Sequence, residues 1–351
     1  MKKFLLIISI IMLIFIDTKF SIINICIGSL AVIILAVILG KLTSNMSFYV
    51  GEKKGGMLAA TIGNIPELMM AFSSVKYGMI LMAKSALMGS IISNMLLGLG
   101  ISVFCGGIKY KEQKFNKIIA RTNFNMLILA MSAIVIISAL SIYSVPPLKE
   151  ATILSINVKI SLVLICIYLL GIVFSFYTHK DLFLVSDGNV EEKLCLNKIK
   201  KISSIGMLVL ISILLYFSSD KLILNIKNIV ETKNVSQQFV GIILIPFLGN
   251  IGENASSIIC AMDNKINMSL ETAIGSSIQI SLFVTPLIMI MSCNLAHPMT
   301  LVFTSFEIII SILAIGMSFL VFQDGKSYWF EGAILIAIYI IITIAYYYIC
   351  Y

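Results

Sequence analysis

Two glutamates in apolar surroundings are the residues of this sequence best suited to chemistry. Glu67 closes the segment Gly63-Asn64-Ile65-Pro66-Glu67, and Glu253 closes Gly249-Asn250-Ile251-Gly252-Glu253. The two copies stand 186 residues apart, and the same offset relates Gly89-Ser90 to Gly275-Ser276. A carboxylate at the centre of a bilayer costs about 2.5–3.5 kcal/mol on insertion scales, so a pair costs roughly 5–7 kcal/mol. No lysine or arginine lies centrally in either apolar run to neutralise them. A single such glutamate reads equally well as a protonated side chain hydrogen-bonded inside a bundle. Two at matching positions point instead to one cation site, with hard carboxylate oxygens facing each other.

The flanking residues suit that chemistry. Gly63 and Gly249 weaken a helix just before each glutamate, and Pro66 cannot donate a helical hydrogen bond. A helix broken there frees backbone carbonyls, which are oxygen ligands of the kind Ca2+ takes. Asn64, Asn250, Ser90, Ser276, Asn94 and Gln279 add neutral oxygens at the same depth, although each alone also serves as helix-packing glue. The small residues Gly89, Ser90, Ser93, Gly275, Ser276 and Ser277 let neighbouring helices come close. Two close carboxylates cannot both stay charged cheaply once a cation leaves, so protons and a divalent cation compete for the same oxygens.

The elements that must position these residues are membrane spans. The chain has 351 residues, 59% apolar and 12% charged, with a mean hydropathy of +1.05. A soluble domain carries about 25% charge, so a cytosolic enzyme and a disordered chain are excluded. Continuous apolar runs argue against a membrane β-barrel, whose strands alternate with period two. The seven cysteines show no paired spacing and read as small hydrophobes, not as a metal site or disulfide scaffold. Apolar stretches run at about 4–16, 21–40, 57–77, 84–107, 118–142, 153–178, 204–219, 238–262, 270–292, 300–321 and 328–349. The expected fold is an all-α polytopic membrane protein of about eleven transmembrane helices. A first extra helix (1–20) precedes two five-helix repeats (21–178 and 204–351), joined by a cytoplasmic linker (179–203) that carries four acids and five lysines. The two glutamate segments fall in the third and eighth stretches, so the copies enter the membrane from opposite sides. That is the inverted-topology repeat of secondary transporters, whose substrate sits near the midplane. The net charge of +8 reads as loop asymmetry and not as nucleic-acid binding. With the N-terminus in the cytoplasm, 17 of the 25 Lys and Arg fall inside, which leaves the C-terminus outside.

At these motifs the chain resembles the calcium/proton exchangers, a branch of the calcium/cation antiporters. The resemblance runs over about residues 40–349. Its first half rests on Gly63-Asn64-Ile65-Pro66-Glu67-Leu68 and Gly89-Ser90-Ile91-Ile92-Ser93-Asn94. Its second rests on Gly249 to Asn254, Ala273 to Gln279 and Phe283-Val284-Thr285-Pro286. Ser305-Phe306-Glu307 and the segment Asp324 to Gly332 are also similar to family signatures. The resemblance implies an eleven-helix antiporter in which Glu67 and Glu253 bind Ca2+ and exchange it for protons. Three positions depart from the pattern. Asn254 stands where the family has histidine, Pro66 resembles the sodium/calcium branch, and the acidic helix expected before the seventh span is short and diluted by lysine.

The expected function is therefore a Ca2+/H+ antiporter exporting Ca2+ across a bacterial plasma membrane. Ca2+ and H+ are cargo, no resident cofactor or nucleic acid is needed, and membrane lipid surrounds a protein compatible with a homo-oligomer. A sodium-coupled or Mn2+-transporting relative is the alternative within the class. An intramembrane protease would need a Gly-x-Gly-Asp pair, a Ser/His dyad or His-Glu-x-x-His, and none is present. A channel fits inverted broken-helix repeats less well than alternating access does. Glu307 reads as packing or as support for the site, Glu331 as a helix-terminus acid, His179 and His297 as loop residues, and Trp329 with Tyr346-Tyr347-Tyr348 as interfacial belts.

Overall fold

The computed structural model describes residues 21–50, 62–178 and 198–350. Ten helices account for almost all of them: α1 Ser21–Val50, α2 Ile65–Lys76, α3 Ile80–Tyr110, α4 Lys117–Tyr143, α5 Glu150–Val173, α6 Lys198–Lys233, α7 Gln237–Met262, α8 Ile266–Ser292, α9 Ser305–Val321 and α10 Trp329–Cys350. Eight are long and apolar enough to cross a membrane, and α2 and α9 are shorter. Each of the expected stretches from the second onward overlaps one of these helices, the third (57–77) only at α2, since residues 57–61 lie outside the described residues. The expected first helix (1–20) and most of the linker (179–197) lie outside the described residues. The seventh stretch, read from sequence as 204–219, is the longest helix, at 36 residues, and begins inside the expected linker. Its polar ends hid it: Lys198, Lys200 and Lys201 precede the apolar run, and Asp220, Lys221 and Lys227 interrupt its continuation.

Among the described residues four helices widen to π geometry: α3 at Ser93–Gly98, α7 at Val240–Leu244, α8 at Ile280–Val284, and α5 at its C-terminal end, Phe174–Thr178. In α7 and α8 the cause is visible. Pro246 and Pro286 each follow the widened segment by two residues. A proline lacks the N–H and its ring clashes with the carbonyl four residues back, which the wider turn relieves. No such proline follows the segment in α3.

Packing falls into two apolar clusters. One is built from α3, α4, α5, α8, α9 and α10, around residues such as Leu99, Phe124, Ile280 and Phe322. The other joins α1 to α6 through Val32, Leu35, Leu39, Ile211, Leu215 and Leu222, and is tied to the rest by Met70, Met79 and Met82. At one end of the bundle Gln113–Lys114 (β1) and Lys326–Ser327 (β2) pair antiparallel, which joins the α3–α4 and α9–α10 connections. Helices α3 and α7 cross in backbone contact. A Cβ on Gly89 would stand 2.5 Å from the Ile242 carbonyl oxygen, and one on Gly241 would stand 2.5 Å from that of Met82. Small residues permit this approach, and dispersion between helices replaces a hydrophobic driving force where the surroundings are lipid.

Candidate cation site

Glu67 is the third residue of α2. Asn64 is at the N-cap position and Pro66 at the second helical position, where the N–H it lacks has no helical partner to lose. The expected break is present as a turn at Gly63–Asn64, but Pro66 starts the helix and does not break it. The Glu67 carboxylate is therefore buried, at 3% exposure, in the first turn of a helix, where the backbone dipole favours an anion. Asn64 leaves its own helix uncapped. Its Nδ2 donates to Gln279 Oε1 at 2.6 Å and, at 3.4 Å, to the Ser276 carbonyl, while its Oδ1 accepts from Ser276 Oγ at 2.8 Å.

The second copy differs. Glu253 lies inside α7, which runs as regular helix through Gly249 to Met262, so the expected break at Gly249 is not there. The irregularity lies earlier, at Val240–Leu244, because Pro246 and not Gly249 disturbs the helical ladder. Gly249 has another reason to lack a side chain. A Cβ there would stand 2.6 Å from Glu67 Oε1 and 3.0 Å from its Cδ, so the glycine of one copy is the floor under the glutamate of the other. Glu67 and Glu253 are near enough to interact electrostatically, and Ser276 lies beside Glu253.

The surrounding amides complete the arrangement. Asn250 Nδ2 makes a long 3.5 Å bond to the Ser90 carbonyl, the counterpart of the bond from Asn64 to the Ser276 carbonyl. Asn94 Nδ2 donates to Ser276 Oγ at 3.0 Å. Four buried oxygens in this group accept nothing: Glu67 Oε2, Glu253 Oε2, Asn94 Oδ1 and Asn250 Oδ1. Buried polar atoms are nearly always partnered, and each orphan costs about 1–3 kcal/mol or more. Two carboxylate and two amide oxygens from three helices form a hard donor set of the type Ca2+ takes.

All eight side-chain candidates from the sequence thus converge, but in different roles. Asn64 and Gln279 are bonded to each other, Ser90 contributes its carbonyl to Asn250, and Ser276 is the hub that Asn64 and Asn94 share beside Glu253. Gly63 contributes a turn and Gly249 contributes space. Asn254 packs its amide against Gly98, the last residue of the widened segment in α3. Glu307 is buried elsewhere. It caps α9 in a reciprocal pair with Thr304 and accepts from Ser85 Oγ at 2.6 Å. Glu331 accepts from the Tyr328 N–H at 2.9 Å at the start of α10, as a helix-terminus acid should. His297 lies in the α8–α9 loop against Gly78, and His179 is outside the described residues. Among the partly buried charges that escaped the sequence reading is Lys84, whose Nζ donates to Thr300 Oγ1 at 3.0 Å and to the Val302 carbonyl at 2.7 Å. Its only sequence signal was a lysine at the edge of an apolar run.

A helical bundle with eight helices able to cross a membrane, and with Glu67, Glu253 and unpartnered buried oxygens among them, defines the class: a polytopic membrane protein. The chain belongs to the sodium/calcium exchanger protein family, which it matches over residues 4–177 and 203–348. It is 34% identical over 332 residues to a "Ca(2+)/H(+) antiporter" of Aphanothece halophytica, covering 92% of this chain and 89% of that one. It is also 34% identical over 317 residues to "Ca(2+)/H(+) antiporter ChaA" of Bacillus subtilis, covering 90% and 89%. Among solved structures, native YfkE superposes with a TM-score of 0.79 at 31% identity, covering 93% of this chain and 92% of that one. The "H+/Ca2+ Exchanger CAX" shares the fold, with a TM-score of 0.74 at 15% identity.

Proposed function

We propose that this protein is a secondary antiporter that exchanges Ca2+ for H+ and exports Ca2+ from the cytoplasm by alternating access. The observation that carries this reading is the set of four unpartnered buried oxygens grouped around Glu67 and Glu253. The names of its relatives, Ca2+/H+ antiporters alike over some nine-tenths of their length, agree with it. Ca2+ bound between the two carboxylates neutralises both. When it leaves, two adjacent buried anions repel, and protons take its place. One set of oxygens then serves both ions in turn, and exchange follows when the site opens to one side at a time.

The finer architecture belongs to the same proposal: eleven spans, a first helix over 1–20, inverted repeats over 21–178 and 204–351, a linker over 179–203, and the N-terminus in the cytoplasm of a plasma membrane. Support for the repeats comes from the paired bonds of Asn64 to Ser276 and Asn250 to Ser90, whose partners are both related by the 186-residue offset. The widened segments of α3 and α8 also begin 187 residues apart. The role of Glu67 and Glu253 as ligands, with Asn94 and Asn250 beside them, is tested by substitution. Glu67→Gln or Glu253→Gln preserves volume and removes the charge a hard dication needs, so Ca2+ uptake into everted vesicles should vanish while the protein remains folded. Uptake at the native rate in either variant would refute the shared site.

A further inference from the structure

The two glutamates of the site are held by different means. Glu67 occupies the first turn of α2 and rests on Gly249. Glu253 lies inside regular helix, where no free backbone N–H group faces a carboxylate. One turn further along the same face of α7 stands Ser257, the hub of a chain of hydroxyls that joins three helices. Its Oγ lies 2.8 Å from Ser102 Oγ on α3 and 2.7 Å from Ser269 Oγ on α8, with the Ser269 carbonyl at 3.1 Å. The single proton of Ser102 Oγ goes to the Gly98 carbonyl at 2.8 Å, so Ser257 donates to Ser102 and Ser269 to Ser257. Gly98 is the residue against which Asn254, the neighbour of Glu253, packs its amide. All three serines are at 0% exposure, and their oxygens are all partnered, unlike the four orphans around the glutamates.

The 186-residue offset that repeats the glutamate segments does not repeat this chain of hydroxyls. It pairs Ser257 with Ala71, Ser269 with Ala83 and Ser102 with Ile288, all buried and apolar. Apolar side chains therefore suffice to fill these positions in the other half. Hydrogen bonds add what dispersion does not, a fixed distance and direction between neighbouring helices. We infer that Ser257 is a positioning residue for Ca2+ binding: clasped to Ser102 and Ser269, it sets the height and rotation of α7 against α3 and α8, and thereby holds the Glu253 carboxylate beside Ser276. The inference rests on Glu253 as a ligand.

Ca2+ uptake into everted vesicles over a range of Ca2+ concentrations, paired with the thermal midpoint of the full chain in detergent, tests it. Ser257→Ala should raise the half-saturating Ca2+ concentration by about threefold to tenfold, the span that one net hydrogen bond covers, with the maximal rate little changed. Ser102→Ala and Ser269→Ala each remove one arm of the clasp and should raise it less. Ser138 supplies the contrast: its Oγ accepts from the Phe303 N–H at 3.1 Å, in the other part of the bundle. Ser138→Ala should lower the midpoint and leave the half-saturating concentration at its native value. A native half-saturating concentration in Ser257→Ala, whatever its midpoint, would overturn the clasp as a positioning device. If Ser257→Ala does not fold, the single-arm variants decide: a rise in either supports the clasp, and native values in both refute it. Glu253→Gln separates the two layers of the argument. Native uptake in that variant would overturn the cation site itself, whereas lost uptake there with a native value in Ser257→Ala would overturn the clasp alone.

Discussion

Glu67 and Gly249 show how narrowly the site is made. The Glu67 carboxylate reaches its position only because residue 249 on the facing helix has no Cβ, the nearest approach being 2.6 Å to Oε1. Gly249→Ala should push that carboxylate off its place, at a cost of about 1–3 kcal/mol for overpacking. The half-saturating Ca2+ concentration for transport should then rise by about tenfold. Gly252, three residues on in the same helix, has open space where its Cβ would be. Gly252→Ala should therefore transport like the native protein and be slightly more stable, since alanine suits a helix better by roughly 0.5–1 kcal/mol. Equal Ca2+ dependence of the two variants, measured side by side, would contradict the cradle role of Gly249. Asn64 carries the complementary lesson. It has the right type and place to cap α2, yet its amide is engaged across the interface by Gln279 and Ser276.

Among the elements, the crossing of α3 and α7 brings both halves of the site together. A methyl group on Gly89 would meet the Ile242 carbonyl oxygen at 2.5 Å and the Pro246 ring at 2.8 Å. Gly89→Ala should part the helices and lower the thermal midpoint in detergent by an amount equivalent to about 1–3 kcal/mol. An unchanged midpoint would show that the crossing is slack. A gentler effect is expected at the β1–β2 strap. Glu112 accepts from Lys326 Nζ at 3.2 Å and Tyr328 Oη at 3.0 Å. The Lys326 bond, then the Tyr328 bond, hold its carboxyl below its ordinary value of 4.5. A depressed folded-state value means the contribution is present above pH 4.5 and is lost as the pH falls through the lower value. Glu112→Gln should thus lower the midpoint a little at neutral pH and low salt. The gap from the native protein should close in acid or in high salt, because the pair is exposed and screened. A gap that persisted at low salt however far the pH was lowered would show the strap is held by something else.

For the molecule as a whole, the coupling ion is the decisive property. Beside Glu67 and Glu253, α8 offers Gln279 followed by Ile280 with no acid in the rest of the helix, and the Gln279 side-chain oxygen already accepts from Asn64. Several Na+ ions would need several oxygen clusters, whereas one dication and protons can share two carboxylates. An imposed pH gradient in Na+-free medium should drive Ca2+ uptake into everted vesicles, and a protonophore should stop it. Uptake that requires Na+ and ignores the pH gradient would reassign the coupling ion without disturbing the cation site.

Much of this was legible in the chain. Long apolar runs set the helices because lipid leaves backbone groups no partner outside the helix itself. The 186-residue offset singled out Glu67 and Glu253 because a charge in such a run is too costly to be incidental. The α6 boundaries were not legible, since lysines and Asp220 dilute the pattern while the helix continues through them. Nor was the position of the irregularity in α7, because Gly249 and Pro246 both weaken a helix locally and only packing against α3 shows which one does. The division of labour among Asn64, Asn94, Asn250 and Gln279 was equally hidden. Their types make them interchangeable donors and acceptors, and which oxygens stay unpartnered depends on contacts between residues some 180–215 positions apart, set where the helices cross.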